Sequence, residues 1–140
     1  MLSLDPKELP IQRLHQLLLG AIGPRPIAFA STLDSNGQSN LAPFSFFNVF
    51  SANPPILVFS PARSGRTGQS KDTFLNAKAH PEVVINIVNY KMVHQMSLAS
   101  SPYPPEVDEF VNETFGIQLS DAFVGRLHHI FQTHQTILLI

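Results

Sequence analysis

Residues 25–32 read R-P-I-A-F-A-S-T, residues 40–48 read N-L-A-P-F-S-F-F-N, and residues 63–73 read R-S-G-R-T-G-Q-S-K-D-T. Two apolar, strand-like runs thus flank a loop broken by proline, and a segment rich in Ser, Thr, Arg and Lys follows them. The apolar, β-branched character of the first run predicts a strand over residues 26–33. Asp34, Ser35, Asn36 and Gly37 supply turn chemistry, and an Asn-Gly pair is the strongest short-range hairpin signal, so the chain is expected to return through residues 39–44. The polar segment after Ser64 is expected to lead into a helix near Ser70. Together the pieces suit a planar, phosphorylated ligand.

Outward from this stretch, residues 5–8 carry a helix-start pattern, with Asp5 as cap and Pro6 at the first helical position. Pro10 interrupts it, and a helix is expected over residues 11–19, with Ile11, Leu14, Leu17 and Leu18 on one face. Phe44, Phe46, Phe47 and Phe50 crowd a stretch that ends at Asn53-Pro54-Pro55, where consecutive prolines forbid a central strand. A strand resumes over residues 56–60. Residues 61–70 read as a loop and residues 71–79 as a short helix closed by His80-Pro81. A buried strand over 83–88 and a helix over 91–97 follow, then a Pro-rich loop over 100–105 and a further short segment at 107–110. Residues 121–132 show a helical pattern, with Phe123, Leu127, Ile130 and Phe131 on one side.

The chain has 140 residues, enough for one domain to bury a core without staples. Its net charge is −1, so nucleic acid and anionic membranes are disfavoured as partners and any anion site must be local. Only 14% of residues are charged and 44% are hydrophobic, which favours self-association. There is no cysteine, hence no disulfide framework and no thiolate nucleophile. No apolar run before residue 25 has the length of a signal or membrane segment, and the expectation is a soluble, cytoplasmic protein.

Guanidinium, ammonium and hydroxyl groups gather over residues 64–73 beside a candidate helix N-terminus. Free N–H groups and the helix dipole favour an anion there, with Arg66 as a bidentate partner and Lys71 as a point charge. An ordinary solvated loop capped by Ser70 explains the same residue types, and spacing alone favours that reading. Residues 40–45 place small residues and a proline where backbone can approach a flat ring, although an edge strand over a phenylalanine core would look the same. Ser31 and Thr32 read first as a strand end. His128, His129 and His134 lack carboxylates at helical spacing, which argues against a metal. Nucleotide-binding and hydrolase signatures are absent.

Six segments in order resemble the flavin reductase-like family of FMN-binding split β-barrels: residues 25–32, 33–48, 51–56, 70–76, 83–88 and 101–110. The resemblance covers about residues 6–110. It implies a mainly β Greek-key split barrel with short helices, commonly a homodimer. The implied domain is one flavin reductase-like unit, with an N-terminal helical segment over 1–24, a barrel core over 25–110 and a divergent tail over 111–140. That tail reads as helical or irregular, so the expected barrel is incomplete at its C-terminus or closed by a partner chain.

Carried over by position, the resemblance implies that Asn40, Ala42, Pro43, Phe44 and Ser45 line an isoalloxazine ring, with Ser31 and Thr32 beside them. Arg66, Ser70, Lys71, Asp72 and Thr73 match the segment expected at the ribityl phosphate, where Asp72 would cap or orient its neighbours. FMN would take hydride from NADH or NADPH and pass electrons to a second flavin, an oxygenase partner or another acceptor. The protein would supply placement and electrostatics, with no acid, base or nucleophile named. A non-catalytic flavin-binding or structural protein with an incomplete cofactor site is the alternative.

Overall fold

The computed structural model describes residues 3–64, 67–101 and 103, together with the backbone of three strands over 125–127, 130–133 and 136–139. It begins with a turn rather than a helix. The Asp5 carboxylate accepts a hydrogen bond of 2.8 Å from the Lys7 N–H, and the pattern at residues 5–8 goes no further before Pro10. Helix α1 spans Ile11–Ala21, two residues beyond the expected end at residue 19.

Strands β1 (Ala28–Leu33) and β2 (Ser39–Phe44) form the expected antiparallel hairpin, with Ala30 opposite Ala42 and Leu33 opposite Ser39. Gly37 in its turn has φ of 82°, a conformation that glycine adopts without a Cβ penalty. β3 (Phe47–Ala52) and β4 (Pro55–Phe59) form a second hairpin, whose register shifts between Val49 and Ser51. Helix α2 (Asp72–Ala79), β5 (Val83–Ile87) and helix α3 (Val93–Ala99) follow. The helix expected over 91–97 thus begins two residues late, preceded by a 3-10 turn over Tyr90–Met92.

Three short strands, β6 (Gly125–Leu127), β7 (Ile130–Thr133) and β8 (Thr136–Leu139), correct the helical reading of residues 121–132 wherever the structure describes them. Leu127, Ile130 and Phe131 fit a helical stripe. The β-branched Thr133, Thr136 and Ile137 follow directly, and pairing with strands already in place outweighs so weak a local preference. Val84 faces Arg126 across the β5–β6 pair, and Val58 faces Leu138 across β4–β8. Residues 107–110, 121–124, 128, 129 and 134 lie outside the described residues.

The strands make two antiparallel four-stranded sheets, ordered β2-β1-β5-β6 and β3-β4-β8-β7. This is the mainly β fold with short helices that was expected. The divergent tail therefore supplies one strand to the first sheet and two to the second. Prolines sit where a sheet tolerates them: Pro43 in marginal β2, and Pro55 as the first residue of β4.

β1 is buried on both faces, which explains its unbroken apolar run. Ala28 and Ala30 join Phe44, Phe47, Phe59, Ala77, Val83 and Ile85 in the core between the sheets and α2. Phe29, pointing the other way, packs with Leu41 and Ala99 beneath α3. The Phe44 and Phe59 rings lie 5.4 Å apart at 40°. Among the described residues no helix is long and apolar enough to cross a membrane.

Candidate functional site

The end of β2 and the start of α2 face each other across a cavity of about 410 Å³. On the β2 side it is lined by Asn40, Ala42, Pro43, Phe44 and Ser45, and on the α2 side by Lys71, Asp72 and Thr73. The structure therefore brings together eight of the residues proposed from sequence, although about 30 positions separate the two groups. Their meeting follows from the fold: β2 is zipped to β1, and α2 packs across both strands.

Two proposed residues fall elsewhere. Ser31 and Thr32 border a larger cavity of about 790 Å³ at the hairpin turn, with Leu33, Gly37, His80 and Glu82. Among the described residues, that cavity has no Lys or Arg in its lining. Ser31 donates its hydroxyl to the Val84 carbonyl at 3.4 Å. Thr32 is buried, and its Oγ1 accepts from the side-chain amides of Asn40 at 3.4 Å and Asn76 at 3.2 Å. Ser70 is not in the lining of the smaller cavity, and Arg66 lies outside the described residues.

The N-cap of α2 is Lys71 rather than Ser70, and the Lys71 side chain makes no capping hydrogen bond. The N–H groups of Phe74 and Leu75 already bond the Lys71 carbonyl, at 2.9 and 3.2 Å, and the helix dipole favours an anion at this end. Asp72 occupies the first turn, where a carboxylate complements the helix dipole. Thr73 is 1% exposed and accepts a 2.9 Å hydrogen bond from the Asn40 side-chain amide.

The sequence reading missed Arg63, which lines the cavity and donates from Nη1 to the Gly68 carbonyl at 3.1 Å. That bond holds the guanidinium against its own loop, which turns through Gly68 at φ of 69°. The only available signal was the pair of arginines at 63 and 66, and an aperiodic loop offers no spacing to choose between them. His15 of α1, Phe46 and Tyr103 complete the aromatic side of the lining. His15 and Phe46 meet edge to face at 5.6 Å, so α1 contributes to the cavity wall.

A cavity of this size lies within the range of roughly 300–1,000 Å³ typical of small-molecule sites. One wall is a strand whose proline removes a donor and whose small residues permit close approach. The other gathers a guanidinium, an ammonium and hydroxyls. Such a donor set fits a flat ring on one side and a phosphate on the other.

Residues 21–130 match the family model described as flavin reductase like domain. An uncharacterized protein of Halalkalibacterium halodurans is 40% identical over 108 residues, which cover 77% of this chain and 51% of that protein. The chain spans about half the length of the curated relatives it matches first. Among solved structures, nitrilotriacetate monooxygenase component B from Bacillus cereus superposes with a TM-score of 0.77 at 30% identity, covering 99% of this chain and 77% of that one. A Shewanella frigidimarina structure described as having a split barrel domain gives 0.68 at 22% identity, covering 99% and 76%. The match extends past residue 110 into the strands of the tail, and the chain belongs to the flavin reductase-like family with a split-barrel fold.

Proposed function

We propose that the cavity between β2 and α2 holds FMN and that the protein is a flavin reductase-type oxidoreductase. The observation that carries this is the pairing of an apolar strand wall at residues 42–46 with a cationic wall at Arg63 and Lys71 in one cavity. When bound, the flavin would accept hydride from NADH or NADPH and deliver electrons to a second flavin, an oxygenase component or another acceptor.

The chain's own residues bind and orient. Ala42, Pro43, Phe44 and Ser45 present a flat strand surface against which a ring rests. Arg63, Lys71 and the first turn of α2 hold the phosphate, and Asp72 stays with the helix dipole rather than with the ligand. Backbone N–H groups beside the ring favour negative charge there. Likeness to the monooxygenase component B supports a place beside an oxygenase partner. Exposed Ile11 and Leu18 on α1, with Val49 and Phe50 on β3, support a homodimer.

The test is a flavin absorbance spectrum of purified protein incubated with FMN and desalted, followed by addition of NADH or NADPH under air. Retained flavin bands and nicotinamide oxidation are expected. Protein that remains colourless after incubation overturns the proposal, and protein that keeps FMN without oxidising either donor reduces it to a flavin carrier.

A further inference from the structure

The Asn40 side chain belongs by sequence to the ring-side strand, yet its amide reaches the phosphate-side helix. One amide hydrogen goes to Thr73 Oγ1 at 2.9 Å, and the other is directed at Thr32 Oγ1, 3.4 Å away. Thr32 Oγ1 also accepts from the Asn76 amide at 3.2 Å, so a polar cluster joins β1, β2 and α2 at the base of the cavity.

A hydroxyl has a single hydrogen. Because Thr73 Oγ1 receives one from Asn40, its own proton is left to be donated elsewhere. The usual intrahelical outlet is the carbonyl of the preceding turn, but Thr73 is the second residue of α2 and no helical turn precedes it. Thr73 is 1% exposed and lines the cavity, so a ligand oxygen there can serve as the acceptor of its proton. We infer that Asn40 is a positioning residue that fixes the Thr73 hydroxyl as a donor to the anionic end of the ligand. The inference rests on the reading of this cavity as an FMN site, and it assigns Asn40 to the phosphate through Thr73 rather than to the ring.

A double-mutant cycle tests it, with FMN and riboflavin affinities read from quenching of flavin fluorescence. A hydrogen bond to a charged group is worth about tenfold or more in affinity. Thr73→Val is expected to weaken FMN about tenfold relative to riboflavin, and Thr73→Ser to retain the wild-type ratio. Asn40→Ala is expected to reproduce the Thr73→Val loss, and the double variant to be no worse than either single one, because Asn40 acts only through the Thr73 hydroxyl. Multiplied losses in the double variant, of about a hundredfold, overturn the inference by showing that Asn40 touches the ligand itself. If Asn40→Ala does not fold, Thr73→Val against Thr73→Ser still decides, since equal ratios for those two overturn it. Wild-type protein that prefers FMN while the variants keep that preference sinks this inference alone. Wild-type protein that binds neither flavin sinks the functional reading with it.

Discussion

Arg25 donates a 2.8 Å hydrogen bond from Nη1 to the carbonyl oxygen of Leu19, in the last turn of α1. The same guanidinium sits 5.9 Å over the Phe46 ring. α1 buries none of its residues fully, so this contact and the His15–Phe46 pair tie it to the barrel. Arg25→Ala is expected to cost about 1–2 kcal/mol, from a charged hydrogen bond and a cation–π contact. Hydrogen exchange should show α1 amides losing protection while those of β1 and β5 keep theirs. Unchanged protection of α1 would show that other contacts anchor it.

Lys71→Ala combined with Arg63→Ala should weaken FMN by about 1.5–3 kcal/mol while riboflavin changes little, because the two cations are proposed to hold the phosphate. Isothermal titration with both ligands is the measurement. Equal losses for the two would move these residues away from the phosphate.

Phe59 is fully buried between the sheets and packs against Phe44. Phe59→Ala is expected to lower stability by about 3–5 kcal/mol, from lost burial and an unfilled cavity. Urea unfolding should show the shift at an unchanged slope. A loss under 1 kcal/mol would place the core elsewhere.

Asp34 organises the β1–β2 turn. Its carboxylate accepts from the Gln38 and Asn36 N–H groups at 2.8 Å each. The Gln38 bond first, and those from Asn36 and Gly37 after it, hold its pKa below the ordinary carboxylate range. A depressed folded pKa means that the contribution of Asp34 is present above its unfolded pKa and fades as pH falls through the folded value. An NMR titration should find its carboxyl carbon titrating below that of the isolated hairpin peptide. Coincident midpoints would contradict the geometry.

The sequence disclosed what local chemistry determines. Asn36 and Gly37 announced the hairpin, because its turn needs a residue free to take positive φ. His80 and Pro81 announced the end of α2 for a similarly local reason. The tail was illegible because apolar positions 127, 130 and 131 satisfy a helical stripe and a pair of strands equally well. Only partners far away in the chain, Val84 for Arg126 and Val58 for Leu138, decide between them. At the site, residue types marked both walls, but Thr32 shows the limit of such reading. Its residue type read as a strand end and the resemblance set it beside the ring, while amides from β2 and α2 take up its acceptor sites.

The cavity walls come from β2 and α2, with the whole β3–β4 hairpin lying between them in the chain. A polypeptide still searching for its structure has no such cavity, since distant segments must meet before the walls exist. Bound ligand then stabilises the native state alone and raises its free energy of unfolding by mass action. The kinetic consequence is specific: a ligand whose contacts are absent from the transition state leaves the refolding rate unchanged and lengthens the lifetime of the folded protein.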